Sequence, residues 1–108
     1  MKKRILRPDR LRKIQGGFSF IPHRFYTDGF LDELSKEELL LYLFYVIVGD
    51  QYGLSFYPYD KICFKLNFYG EEYLNARDGL LDRSLIAFSD GLVQVLSLPV
   101  TKTGGSHG

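Results

Sequence analysis

The densest run of apolar positions, Leu39 to Val48, is preceded by Ser35 and Glu38 and followed by Gly49 and Gly53. An S-x-x-E spacing places a hydroxyl and a carboxylate where a helix start leaves free amides, and glycine provides a stop, so "LSKEELLLYLFYVIVGDQYG" predicts a helix. Because Leu39–Val48 is apolar on every side, the helix is expected to be buried around most of its girth, at the domain centre or partly against a second subunit. Upstream, "FSFIP" alternates aromatic and small residues as a short strand does. Pro22 is then placed to open a helical turn through "HRFYTDGFLDEL", which Gly29 should split in two.

Downstream, Leu54 to Tyr57 reads as a short strand that Pro58 ends, and a helix follows to about Leu66. Ile62 and Leu66 form its buried stripe, with Lys61 and Lys65 one turn apart on another face. The next helix runs from about Gly70 to Arg83. It points Tyr73, Ala76 and Leu80 inward and Glu72, Asn75, Gly79 and Asp82 outward. "LIAFSDGLVQVLSL" closes the pattern as two strands around the turn Ser89-Asp90-Gly91. No internal repeat is visible. The expected division is a flexible arm over 1–15, one domain over 16–99 and a disordered Gly-rich tail over 100–108.

Composition narrows this picture. A chain of 108 residues, 45% hydrophobic and 16% aromatic, has apolar material for one core. The single cysteine, Cys63, cannot form an internal disulfide and lies in an apolar run, so a buried reduced thiol in a cytoplasmic protein is expected. The basic opening "MKKRILRPDRLRKIQ" lacks the apolar stretch of an export signal. Ten apolar residues at Leu39–Val48 are about half of the ~20 that a membrane helix needs.

Charge is distributed unevenly. Residues 1 to 15 hold seven lysines and arginines against one aspartate, a net +6, while the whole chain totals +1 and the remainder is therefore −5. A basic arm on an acidic body points to an anionic partner for the arm.

The order strand, helix, strand, helix, helix, hairpin is that of an α+β winged helix-turn-helix, a three-helix core with a short N-terminal strand and a C-terminal β-hairpin wing. "RPDRLRKIQGGFSFIPHRF", "LSKEELLLYLFYVIVGDQYGLSFY", "ARDGLLDRSLIAF" and "VQVLSL" resemble small bacterial helix-turn-helix proteins of mobile elements. More distantly, they resemble the winged-helix domains of DnaD-type and plasmid replication-initiation proteins. The similarity spans about residues 5 to 98 and consists of core-pattern residues and a wing junction. It implies DNA binding in replication, transposition or their regulation, including regulation of transcription. One departure matters: the helix in the recognition position carries Glu71, Glu72, Asp78 and Asp82 against only Arg77 and Arg83.

Candidate contacts follow from these residue types. Lys2, Lys3, Arg4, Arg7, Arg10, Arg12 and Lys13 can follow a phosphate row along an extended arm, although a merely solubilising tail has the same composition. Lys61 and Lys65 lie where phosphate contacts position a domain, and equally where an ordinary solvated face would lie. Asn75 has the amide that pairs with adenine and Arg77 the fork that suits guanine, but Arg77 sits near the core stripe and is read as structural. Tyr57, Tyr59 and Tyr69 are the tyrosines expected to be exposed. With Glu72 and Asp82 they form the candidate face for a partner protein, the alternative to DNA. A homodimer and a monomer are both left open. His23 and His107 with one cysteine make no metal site, and no phosphate loop or nucleophile motif is present, so no catalytic residue and no cofactor is expected.

Overall fold

Pro22 opens the first helical turn and Gly29 breaks it, both as expected. The computed structural model describes residues 3 to 100, with α1 at Arg24–Thr27, α2 at Phe30–Glu33 and Gly29 between them at φ 87°, a conformation glycine adopts without strain. The tail expectation for residues 101–108, including His107, and the contact expected of Lys2 lie outside the described residues. The strand expected at "FSFIP" does not form. Every described residue before Arg24 is exposed, and Ser19 reaches the body only by donating a hydrogen bond from Oγ to the Ile47 carbonyl at 3.4 Å. Alternation of aromatic and small residues favours a pleated surface only when a neighbouring strand is there to pair with it.

Helix α3, Lys36–Val48, starts on the predicted capping box: the Glu38 amide donates to Ser35 Oγ at 3.1 Å, and the Ser35 amide donates to Glu38 Oε1 at 2.9 Å. Its girth is less buried than expected. Leu41, Tyr42 and Tyr45 enter the core, whereas Leu40, Leu43 and Ile47 line an exposed row. The helix lies against other elements on one side only, which a run apolar on all sides cannot reveal.

Strand β1 spans Leu54–Phe56, helix α4 Tyr59–Leu66, helix α5 Gly70–Asp82, and strands β2 and β3 Ile86–Ser89 and Leu92–Val95. The chain is thus α+β, with five helices and one antiparallel sheet in the order β1-β3-β2 among the described residues. Asp50 closes part of the outer edge of β1. Its amide donates to the Leu54 carbonyl at 2.9 Å, and its Oδ1 accepts from the Leu54 amide at 2.9 Å. That leaves little backbone there for another strand to pair with. The hairpin turn is tighter than expected: Ser89 belongs to β2 and faces Leu92, leaving Asp90 and Gly91 at φ 49° and 84° to make a two-residue connection.

Helices α4 and α5 end alike. The Phe68 amide returns to the Cys63 carbonyl and the Leu85 amide to the Leu80 carbonyl, with Asn67 and Ser84 in left-handed conformations at φ 59° and 57°. These are Schellman closures, and the second drives Leu85 and Ile86 directly from helix into core and sheet.

The core lies between Phe25 and Leu98. Phe25 stacks on Tyr42 with ring centroids 5.0 Å apart, and the Tyr45 and Tyr73 hydroxyls share a buried hydrogen bond at 3.3 Å. Burial, reinforced by that bond, holds the Tyr45 phenol far above the ordinary tyrosine range. The Tyr73, Ala76 and Leu80 stripe of α5 is buried as expected. Gly79 does not face outward: it lies under Glu38, and a β-carbon there would fall 1.8 Å from Glu38 Oε2. Glu38 is held in place by its capping bond and by Arg83 Nη1 at 3.2 Å.

Replacing an interior helical glycine by alanine ordinarily stabilises by about 0.5–1 kcal/mol. Here Gly79→Ala alone is expected to yield no gain or a loss in urea unfolding, because Glu38 must move. In a Glu38→Ala background the same change should recover a gain of about 0.5–1 kcal/mol. Equal effects in both backgrounds would show that Glu38 does not constrain this site.

Candidate functional site

The arm presents its cations to solvent. Lys3, Arg4, Arg7, Arg10, Arg12 and Lys13 are all exposed, on a segment whose regular structure is one turn of 3-10 helix at Pro8–Arg10. Arg7 donates to Asp9 from Nε at 3.0 Å and Nη2 at 2.7 Å, which holds its guanidinium above and the Asp9 carboxyl below their usual ranges. The other five make no ion pair among the described residues. Within that set, no side-chain hydrogen bond ties residues 3–15 to the body; Ser19 is the first to make one. Charge counting overlooked a further feature of the arm: Ile5, Leu6, Leu11 and Ile14 are exposed between the cations. Their apolar character was visible in the sequence.

Helix α4 offers a second basic surface. Ile62 is buried and Leu66 half-buried, so the opposite face turns to solvent and carries Lys61, Phe64 and Lys65. Neither lysine has an ion-pair partner among the described residues. Phe64, which the sequence reading passed over, is 89% exposed. Its signal was its position two residues from Ile62 and from Leu66, on the far side of the helix from both. Cys63, expected to be buried, is only half-buried; burial and nearby carboxylates raise its thiol pKa, the direction of an unreactive thiol at neutral pH.

Helix α5 contributes little positive charge to any surface. Arg77 folds inward over the Phe88 ring, 4.6 Å from its centroid, with Tyr73 at 5.8 Å and Asp78 Oδ1 at 3.5 Å; its Nε is buried without a hydrogen-bond partner among the described residues. Arg83 is consumed by Glu38, the Gly79 carbonyl and the Glu33 carbonyl. Asn75 is exposed, but it lines a hollow of about 290 Å³ with Ser35, Glu37, Glu38, Glu72 and Ala76. Three carboxylates there repel a phosphate backbone and set Asn75 apart from Lys61 and Lys65. Glu72 is half-buried, not outward, because its Oε1 accepts from the Tyr69 amide at 2.7 Å and caps the helix. Asp82 is exposed.

The three tyrosines are exposed as expected, in different settings. Tyr57 meets Phe44 edge-on at 5.4 Å and Tyr59 leans on Tyr73 at 6.0 Å, so both rings are anchored. Tyr69 is 80% exposed, without a ring contact among the described residues. A larger cleft of about 750 Å³ lies between Phe18–Pro22, the end of α3 and residues 95–98, with a mainly apolar lining. Its one charged lining group besides Asp50, Arg24, is bound to Asp28 and to the Pro99 and Val100 carbonyls. Among the described residues no cluster of histidine, cysteine or carboxylate side chains can hold a metal ion, and no helix is long and apolar enough to cross a membrane.

Comparison with protein-family models, with curated proteins and with solved structures gives no match.

The cations on α4 and α5 differ in what they hold. Arg77→Ala should lower stability by about 1–2 kcal/mol through lost packing and ring contacts. The Lys61→Ala, Lys65→Ala double variant should leave stability within about 0.5 kcal/mol. Thermal unfolding of the two variants reads the difference.

Proposed function

We propose that this chain is a non-catalytic DNA-binding accessory or regulatory protein with a winged helix-turn-helix fold, acting in the setting of a bacterial mobile element, its replication or its transcriptional control. The observation that carries the reading is the arm: five exposed cations with no ion-pair partner among the described residues, on a segment that makes no side-chain hydrogen bond to the body before Ser19. Such a chain can lie along phosphates or in a groove, and neutralising them releases counter-ions. The succession α3-β1-α4-α5-β2-β3 with sheet order β1-β3-β2 supports the winged-helix assignment. The inward arginines and acidic hollow of α5 argue against base reading by that helix, so attraction comes mainly from the arm and the Lys61/Lys65 face, and sequence preference is modest. The core does not draw on the arm, since no described residue before Arg24 is buried.

A protein-docking role is the second reading. It is favoured by the exposed row Leu40, Leu43 and Ile47, which suits a second copy or a partner protein, with Tyr57, Tyr59, Tyr69, Glu72 and Asp82 as further contacts. The two readings separate on removal of residues 1–15. For DNA, a random-sequence duplex should bind the full chain with a log-log salt slope of about −4 to −6 and lose most affinity without the arm. A partner contact would survive the truncation. Absence of binding by the full chain at low salt would overturn the DNA reading, and undiminished binding by residues 16–108 would contradict the placement of its contacts.

A further inference from the structure

A phenylalanine 89% exposed in the last turn of a helix has no role in packing its own domain. Phe64 stands opposite the Ile62 and Leu66 side of α4. The helix beneath it is fixed: Ile62 is buried, and the Schellman closure through Phe68, Cys63 and Asn67 ends the helix two residues after it, at Leu66. Lys61 lies one turn before Phe64 and Lys65 next to it, both exposed and without ion-pair partners among the described residues; Asp60 is the one carboxylate on the same helix. On the other side of the Asn67 turn, Tyr69 presents a second ring that is 80% exposed.

We infer that Phe64 is a stacking platform for an unpaired base, with Lys61 and Lys65 taking the flanking phosphates of a single strand. The inference rests on the nucleic-acid reading above and deepens it, because the arm and the two lysines attract any phosphate row while the ring selects an unpaired base. An arm of cations follows any phosphate row, whereas an outward ring on a rigid helix needs a free base face, which a paired duplex does not offer. Rings and cations alternating along a surface are the combination that single strands select: the base gains stacking and its phosphates are neutralised within one nucleotide step. Tyr69 is placed to receive a further base of the same strand.

The full chain supplies the test. Equilibrium binding of labelled oligo(dT) and of a random-sequence duplex is measured by anisotropy for the wild-type chain and for Phe64→Ala and Phe64→Trp. Phe64→Ala should weaken oligo(dT) binding at least about fivefold, the lower end for one stacked base, while duplex affinity changes less than about twofold. Phe64→Trp should retain single-strand affinity. The chain has no tryptophan of its own, so its emission reports this one position and should be quenched as oligo(dT) is added. Unchanged oligo(dT) affinity in Phe64→Ala, or unquenched Phe64→Trp emission, would overturn the inference while leaving duplex binding by the arm intact. An equal loss on duplex would also overturn it, since Phe64 would then be a wedge or a general contact. Emission that shifts with protein concentration in the absence of DNA would instead assign the ring to a protein interface. Failure of the full chain to bind either ligand would remove both readings together.

Discussion

The Glu38 carboxylate holds the two longest helices in register. One oxygen accepts the Ser35 amide and closes the start of α3; the other receives Arg83 from the end of α5, with Gly79 leaving room for the carboxylate between them. Arg83 in turn binds the Glu33 carbonyl, so the ends of α2, α3 and α5 meet on one small polar junction. Because the side chains are largely enclosed, the interaction is screened less than a surface pair, and removal of either partner strands the other. From this junction the chain passes through Ser84 into Leu85 and Ile86, so the orientation of the hairpin follows from it.

The same junction constrains what α5 can bind. The helix and its C-cap residue carry two arginines, Arg83 spent on Glu38 and Arg77 folded over Phe88 and Tyr73. What α5 leaves to solvent is acidic or neutral: Glu71, Asp78, Asp82, Leu74 and Asn75. A polyanion approaching this face would meet repulsion, particularly near the hollow of Glu37, Glu38 and Glu72. Apart from Lys36 at the start of α3, the cations without an ion pair among the described residues lie on the arm and on α4, and the proposed division of labour, in which α5 builds the fold while the arm and α4 meet an anionic ligand, follows this charge distribution.

Most of the architecture was legible where the signal was local. Ser35 with Glu38, the break at Gly29, the Tyr73, Ala76 and Leu80 stripe and the Ser89-Asp90-Gly91 turn, which closes one residue tighter than expected, each express a requirement settled within a few residues. Expectations failed where tertiary neighbours decide. "FSFIP" has the alternation of a strand but no partner, the all-round apolar α3 has cover on one side only, and Gly79 faces a carboxylate 41 positions earlier in the chain. The candidate site divides in the same way: the basic arm could be read from composition, whereas the acidic surroundings of Asn75 depend on how α3 lies beside α5. Phe64 was missed for a different reason, since an aromatic residue in an aromatic-rich segment reads as core until its angular position is weighed against that of Ile62 and Leu66.

The most direct test of this division of labour is a residue-resolved titration: backbone amide chemical shifts of the isotope-labelled chain followed as a DNA oligonucleotide is added at low salt. The account predicts shifts concentrated in the arm up to Lys13 and in α4 around Lys61 to Lys65, with the Asn75, Asp78 and Asp82 face of α5 nearly unmoved. Shifts centred on that face, with the arm silent, would contradict it.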